Sequence, residues 1–66
     1  MRALLVVHDT HARHAIESVL TLRGWDFVIA PAADDALLVH RAEPASLVIA
    51  EEDAKGTAAW LFGSIR

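Results

Sequence analysis

The chain has 66 residues, a net charge of −3 and no cysteine, and 55% of its residues are hydrophobic. This length allows one small domain, which buries only about 60% of its unfolded surface, and the lack of cysteine excludes disulfide bridges and thiolate metal sites. The hydrophobic content excludes a disordered chain, and the scattered basic residues form no footprint for nucleic acid. We therefore expect some apolar surface to be left over for a protein partner.

No apolar run approaches the length of a membrane span. The first predicted strand begins almost at Met1, which leaves no room for a signal peptide. We therefore expect a soluble, cytoplasmic protein with no membrane partner.

The first half of the chain predicts a strand, a helix and a second strand. Residues 3–7 form a continuous apolar run of strand length, and residues 10–23 follow with apolar positions three and four residues apart. Gly24 stands where a left-handed residue often ends a helix, and residues 27–30 predict the second strand. The predicted buried face of the first helix consists of Ala12, Ala15, Ile16, Val19, Leu20 and the stem of Arg23.

The second half continues the same alternation. A helix opens with negative charge at Asp34 and ends before Pro44. Residues 47–50 predict the third strand, and residues 57–65 predict a third helix. The residues of this last helix that we expect to face inward are Trp60, Leu61 and Ile65.

Strand and helix alternate three times with short connections, which predicts an α/β fold with one parallel sheet. Right-handed crossovers place the first helix on one face and the second helix on the other. If the chain reverses direction after the second strand, the strand order is 2-1-3. His8, Asp9 and Glu51 would then converge in one crevice at the carboxyl ends of the strands, where open α/β sheets bind ligands.

The polar residues near this crevice have more than one interpretation. A carboxylate at a strand end suits a phosphoryl acceptor or a hard cation such as Mg²⁺, but Asp9 is equally suited to cap the first helix, as is Thr10. Glu52 and Asp53 read as surface charges, with Asp53 as an alternative carboxylate if the register shifts by two residues.

Three histidines at three-residue spacing, His8, His11 and His14, could share Zn²⁺, Ni²⁺ or Cu²⁺. The plainer interpretation is that they face solvent on the outer side of the first helix, so we predict neither a metal site nor a cofactor. His40 lies on the second helix, where we expect partial burial against the sheet.

Four stretches of the chain carry a family resemblance: LLVVHD at 4–9, LRGWDFV at 22–28, ADDAL at 33–37 and PASLVIAE at 44–51. In order and spacing they resemble the first half of the receiver domain of bacterial two-component response regulators. The resemblance covers residues 1–66 as one truncated domain and implies half of a flavodoxin-like fold.

The departures from this family are as informative as the matches. In receivers an acidic pair holds Mg²⁺, and an aspartate after the third strand accepts phosphate. This chain has His8 and Asp9 at the positions of the acidic pair and Glu51 at the position of the acceptor. The hydroxyl residue and the lysine that complete the family's site would lie beyond Arg66. The resemblance therefore implies a degenerate receiver without catalytic residues. Three interpretations of Glu51 stay open: it imitates a charged acceptor, it is a solvated strand end, or it serves as a ligand. An active magnesium-dependent phosphoacceptor is the less favoured interpretation of the site.

A three-stranded sheet of this order leaves the outer edge of its third strand unpaired, which is an aggregation hazard. Trp60, Leu61 and Phe62 are also more bulky apolar residues than one helix face can bury. Two copies related by a two-fold axis would cover both features. The predicted interface consists of Val48, Ile49, Trp60, Leu61 and Phe62.

We therefore expect a signalling module that acts without phosphorylation, through a homodimer or through another signalling protein. The alternative is an excised or designed half-domain whose only property is folding and self-assembly.

Overall fold

Three strands and three helices alternate along the chain, as the sequence pattern predicts. A computed structural model describes all 66 residues. The elements in chain order are β1 (Arg2–Val6), α1 (Thr10–Leu22), β2 (Asp26–Ile29), α2 (Ala33–Ala42), β3 (Leu47–Ala50) and α3 (Thr57–Ile65). The bounds of β1, α1, β2 and α2 differ from the predicted bounds by a single residue, and those of β3 and α3 agree with the prediction. None of the three helices combines the length and the apolar character needed to cross a membrane.

The strands form one parallel sheet in the order β2-β1-β3, which confirms the predicted topology. In its register Ala3 of β1 lies opposite both Phe27 of β2 and Leu47 of β3. All three carboxyl ends therefore meet at one edge of the sheet. This arrangement is consistent with half of a flavodoxin-like fold.

One face of the sheet is well covered, because α2 and α3 both pack against it. Leu4 and Val6 point from β1 into this layer, where Leu37 and Leu61 meet them. Three alanines of the same cluster, Ala30, Ala33 and Ala36, are small enough to let α2 approach the sheet closely.

The opposite face is covered by α1 alone. Its buried cluster contains only Ala3, Leu5 and Leu20, and the predicted apolar face of α1 is only partly covered. Val19 retains 54% of its exposure, because one helix is too narrow to cover all three strands.

The orientation of α3 corrects one prediction. Ala58 and Leu61 are buried and Ile65 packs against the core, whereas Trp60 is 47% exposed. Each residue turns the helix by about 100°, so burying Leu61 directs the neighbouring Trp60 outward. Leu61 has no exposed surface within the single chain, and its predicted place in an interface is therefore wrong.

Candidate functional site

Asp9 and Glu51 come together at the carboxyl ends of β1 and β3, as the strand order predicts. The backbone N–H of Asp9 donates a hydrogen bond to Oε2 of Glu51 over 3.3 Å. The backbone N–H of Glu51 donates in turn to the carbonyl of Val6, over 2.9 Å. The Glu51 carboxylate is exposed, so the crevice presents a charged group that a backbone donor holds in place.

The side chain of Asp9 is engaged in helix capping. Its Oδ1 accepts the backbone N–H of His11 over 3.3 Å, and Asp9 is the N-cap residue of α1. An N-cap carboxylate satisfies a backbone donor that would otherwise lack a partner and lies at the positive end of the helix dipole. Of the two residues that could cap this helix, the structure thus selects Asp9.

His8 does not join these two residues in the crevice. Its Nε2 lies 2.6 Å from the carbonyl oxygen of Pro31, in the loop between β2 and α2. Because a carbonyl can only accept, Nε2 carries the proton and donates it. The predicted convergence of three side chains is therefore wrong for His8, which is directed toward the opposite side of β1.

The two carboxylates that follow Glu51 hold the start of α3. Glu52 accepts the N–H groups of Ala58 and Ala59 at 3.0 and 3.2 Å. Asp53 accepts the hydroxyl of Thr57 at 2.6 Å and the N–H of the same residue at 3.1 Å. Both residues therefore act as caps, and the prediction of plain surface charges missed this role. The signal was present in the sequence, since carboxylates directly before a predicted helix are typical N-terminal caps.

These contacts also change the ionisation of the two carboxyls. Backbone N–H donors, first that of Asp53 and then that of Ala58, lower the pKa of Glu52. The hydroxyl and the N–H of Thr57 lower the pKa of Asp53. In both cases the donors stabilise the charged form of the carboxyl. Both oxygens of Asp53, the alternative carboxylate that the sequence suggested, are engaged by Thr57.

The histidines do not assemble into a metal site. No group of three or more His, Cys, Asp or Glu side chains in the chain could hold a metal ion, so the alternative built on His8, His11 and His14 has no support in the geometry. His40 is partly buried, as predicted, and its Nδ1 accepts the N–H of Ala45 over 3.1 Å. This bond ties the end of α2 to the loop that enters β3.

The outer edge of β3 carries unpaired backbone groups. The N–H of Glu51 bonds to the carbonyl of Val6, toward β1, and the alternation of a parallel strand therefore directs the N–H and C=O groups of Val48 and Ala50 to the free side. On the other sheet face, α3 contains no charged residue. Trp60 and Phe62 expose 47% and 37% of their surfaces there. Edge and helix together form a neutral, apolar surface, hereafter the β3–α3 surface.

Comparison of the chain with models of protein families, with curated proteins and with solved structures gives no match. The resemblance to receiver domains thus rests on the residues of this chain alone.

Proposed function

We propose that this chain is a non-catalytic, receiver-like interaction module that self-associates through the β3–α3 surface and does not depend on phosphorylation. The observation that carries this proposal is the coincidence of an unpaired strand edge with an uncharged, partly exposed helix. The chain acts in this proposal as a binding unit, with a second copy of itself as its partner.

The crevice supports the non-catalytic part of the proposal. A magnesium-dependent phosphoacceptor needs several hard oxygen ligands directed at one point. Here the Asp9 carboxylate caps α1, and His8 contributes an imidazole that is bonded to Pro31. Glu51 then supplies a permanent negative charge where receivers carry a reversible one.

The choice of a second copy as partner follows from the chemistry of the β3–α3 surface. Proteins commonly protect an exposed strand edge with charged residues or proline, and β3 contains neither between Leu47 and Ala50. A charged partner would find no complement on α3, whereas two copies of this uncharged surface meet without like-charge repulsion across the interface. A two-fold axis presents the same patch on both sides and closes the assembly.

The dimer geometry that best satisfies a two-fold axis pairs the two β3 strands in antiparallel orientation. The free N–H and C=O groups of Val48 and Ala50 would bond to their counterparts, giving a continuous six-stranded sheet. The two α3 helices would then meet on one face, where Trp60 and Phe62 lose their exposed area. Of the interface set expected from the sequence, this proposal thus keeps all members except Leu61, namely Val48, Ile49, Trp60 and Phe62.

Sedimentation analysis across a hundredfold dilution tests the self-association. We expect a dimer that dissociates on dilution, and we expect Trp60→Ala and Phe62→Ala each to weaken it at least tenfold, since buried aromatic residues dominate interfaces. Leu22→Ala and Leu38→Ala are matched controls, because these leucines are 90% and 66% exposed away from this surface. A folded monomer at every concentration would refute the proposed association.

Incubation with acetyl phosphate and Mg²⁺, followed by intact-mass measurement, tests the independence from phosphorylation. We expect no phosphoryl adduct on the wild-type chain or on Glu51→Asp. A stoichiometric adduct on the wild-type chain would favour the phosphoacceptor reading instead.

A further inference from the structure

A concave apolar surface lies on the α1 face, between α1 and β3. It has a volume of about 500 Å³, and seven of its eight lining residues are hydrophobic. Ile16 and Val19 line it from α1, and Leu47 and Ile49 line it from β3. We call it the α1–β3 groove. It exists because α1 alone cannot cover three strands, and it leaves Val19 and Leu47 54% and 39% exposed.

The groove has one charged lining residue, Arg23, which stands at the C-terminal end of α1. Since α1 runs back along the sheet, this end lies near the amino ends of the strands, opposite the crevice of Asp9 and Glu51. The other two arginines of the strand–helix layer, Arg2 and Arg13, form ion pairs with glutamates, whereas Arg23 forms none. Its guanidinium is therefore free to meet an anion.

The carbonyl groups at the end of α1 do not cancel this charge. The N–H of Gly24 donates to Thr21 over 3.1 Å, and the N–H of Trp25 donates to Leu20 over 2.9 Å. A helix end carries only about half a negative charge, and here part of it is already compensated. The full charge of Arg23 therefore exceeds the partial charge of the helix end.

We propose that the α1–β3 groove binds a linear amphiphile with one carboxylate, its alkyl chain along Val19, Leu47 and Ile49 and its head group at Arg23. Sites for small ligands typically measure about 300–1,000 Å³ and combine an apolar lining with a few orienting polar groups. The stretch of α1 from Ala15 to Arg23 covers about 12 Å, which suits a medium-length extended alkyl chain. The site is built within one chain and does not rest on the proposed dimer.

Decanoate, used below its micellar concentration, is the probe. In an NMR titration of the wild-type chain we expect saturable shifts at Ile16, Val19, Ile49 and the indole N–H of Trp25, with a Kd of about 1 mM or lower. The residues of the crevice, Asp9 and Glu51, should not shift. Decyltrimethylammonium, whose alkyl chain is one methylene longer and whose head is cationic, should bind at least fivefold more weakly.

Variants separate the charge from the apolar contact. We expect Arg23→Gln to raise the Kd for decanoate about fivefold, the effect of one exposed charge pair, and Arg23→Lys to keep it within about twofold of wild type. Val19→Asp should abolish saturable binding. Leu38→Asp places the same charge at a similarly exposed leucine on α2 and should leave binding intact.

Three results of the binding titrations would overturn this proposal. They are the absence of saturable shifts, equal affinity for the anionic and the cationic amphiphile, and equal loss of binding in Val19→Asp and Leu38→Asp. Sedimentation of the decanoate-saturated chain provides the last check. If decanoate dissociated a dimer as it bound, the groove would be a contact between copies, and the ligand proposal would be wrong while self-association would stand.

Discussion

Leu61→Ala tests the assignment of Leu61 to the core rather than to an interface. Leu61 has no exposed surface and belongs to the cluster formed by β1, α2 and α3. Removing three carbon groups at about 0.8 kcal/mol each costs about 2.4 kcal/mol in transfer free energy. The cavity that remains raises the loss to about 3–4 kcal/mol, within the range known for buried leucines.

This loss is large compared with the free energy of unfolding expected for the whole chain. At about 0.05–0.15 kcal/mol per residue, a chain of this length has a free energy of unfolding of roughly 3–10 kcal/mol. We therefore expect Leu61→Ala to be largely or partly unfolded without denaturant. Leu38→Ala, at a residue that is 66% exposed on α2, should stay within about 0.5 kcal/mol of wild type.

Urea unfolding followed by far-UV circular dichroism, at one protein concentration for all variants, measures both effects. Phe62→Ala is the informative comparison, since this side chain is only 37% exposed but does not belong to the core cluster. A cost below about 1 kcal/mol for Leu61→Ala would contradict its place in the core. So would a larger destabilisation by Phe62→Ala than by Leu61→Ala at a concentration where the chain is monomeric.

Two further predictions concern the carboxylates near the crevice. Because contacts lower the pKa of Glu52 and of Asp53 in the folded chain, their stabilisation is present above the ordinary carboxyl pKa of about 4 and is lost as the pH falls through the folded-state values. Acid unfolding curves should therefore be flatter for Glu52→Gln and Asp53→Asn than for wild type, and an unchanged pH dependence would show that these caps contribute nothing. Glu51→Gln should leave the free energy of unfolding within about 0.5 kcal/mol and change the dimer dissociation constant about two- to fivefold. An unchanged constant in sedimentation would favour a solvated strand end and a half-domain that only self-assembles.

The sequence alone determined the order of the elements along the chain and their α/β class. Continuous apolar runs of strand length alternate with segments in which apolar residues recur every three or four positions. This pattern is a property of the sequence and does not depend on how the side chains pack. Right-handed crossovers allow the order 2-1-3 if the chain reverses direction after the second strand, and the structure shows this reversal. Local chemistry also predicted the end of α1, where Gly24 has a φ of 74° and thus the left-handed conformation that favours glycine.

The tertiary structure decided where individual side chains go. The apolar residues of α3 are so continuous that no period distinguishes Trp60 from Leu61, and only packing against α2 and β1 selects the buried one. The bond from His8 to Pro31 joins residues 23 positions apart, and the bond from Asp9 to Glu51 spans 42. Local pattern predicts which strand ends meet, but the partner of each polar side chain depends on the donors and acceptors that distant segments bring to that edge.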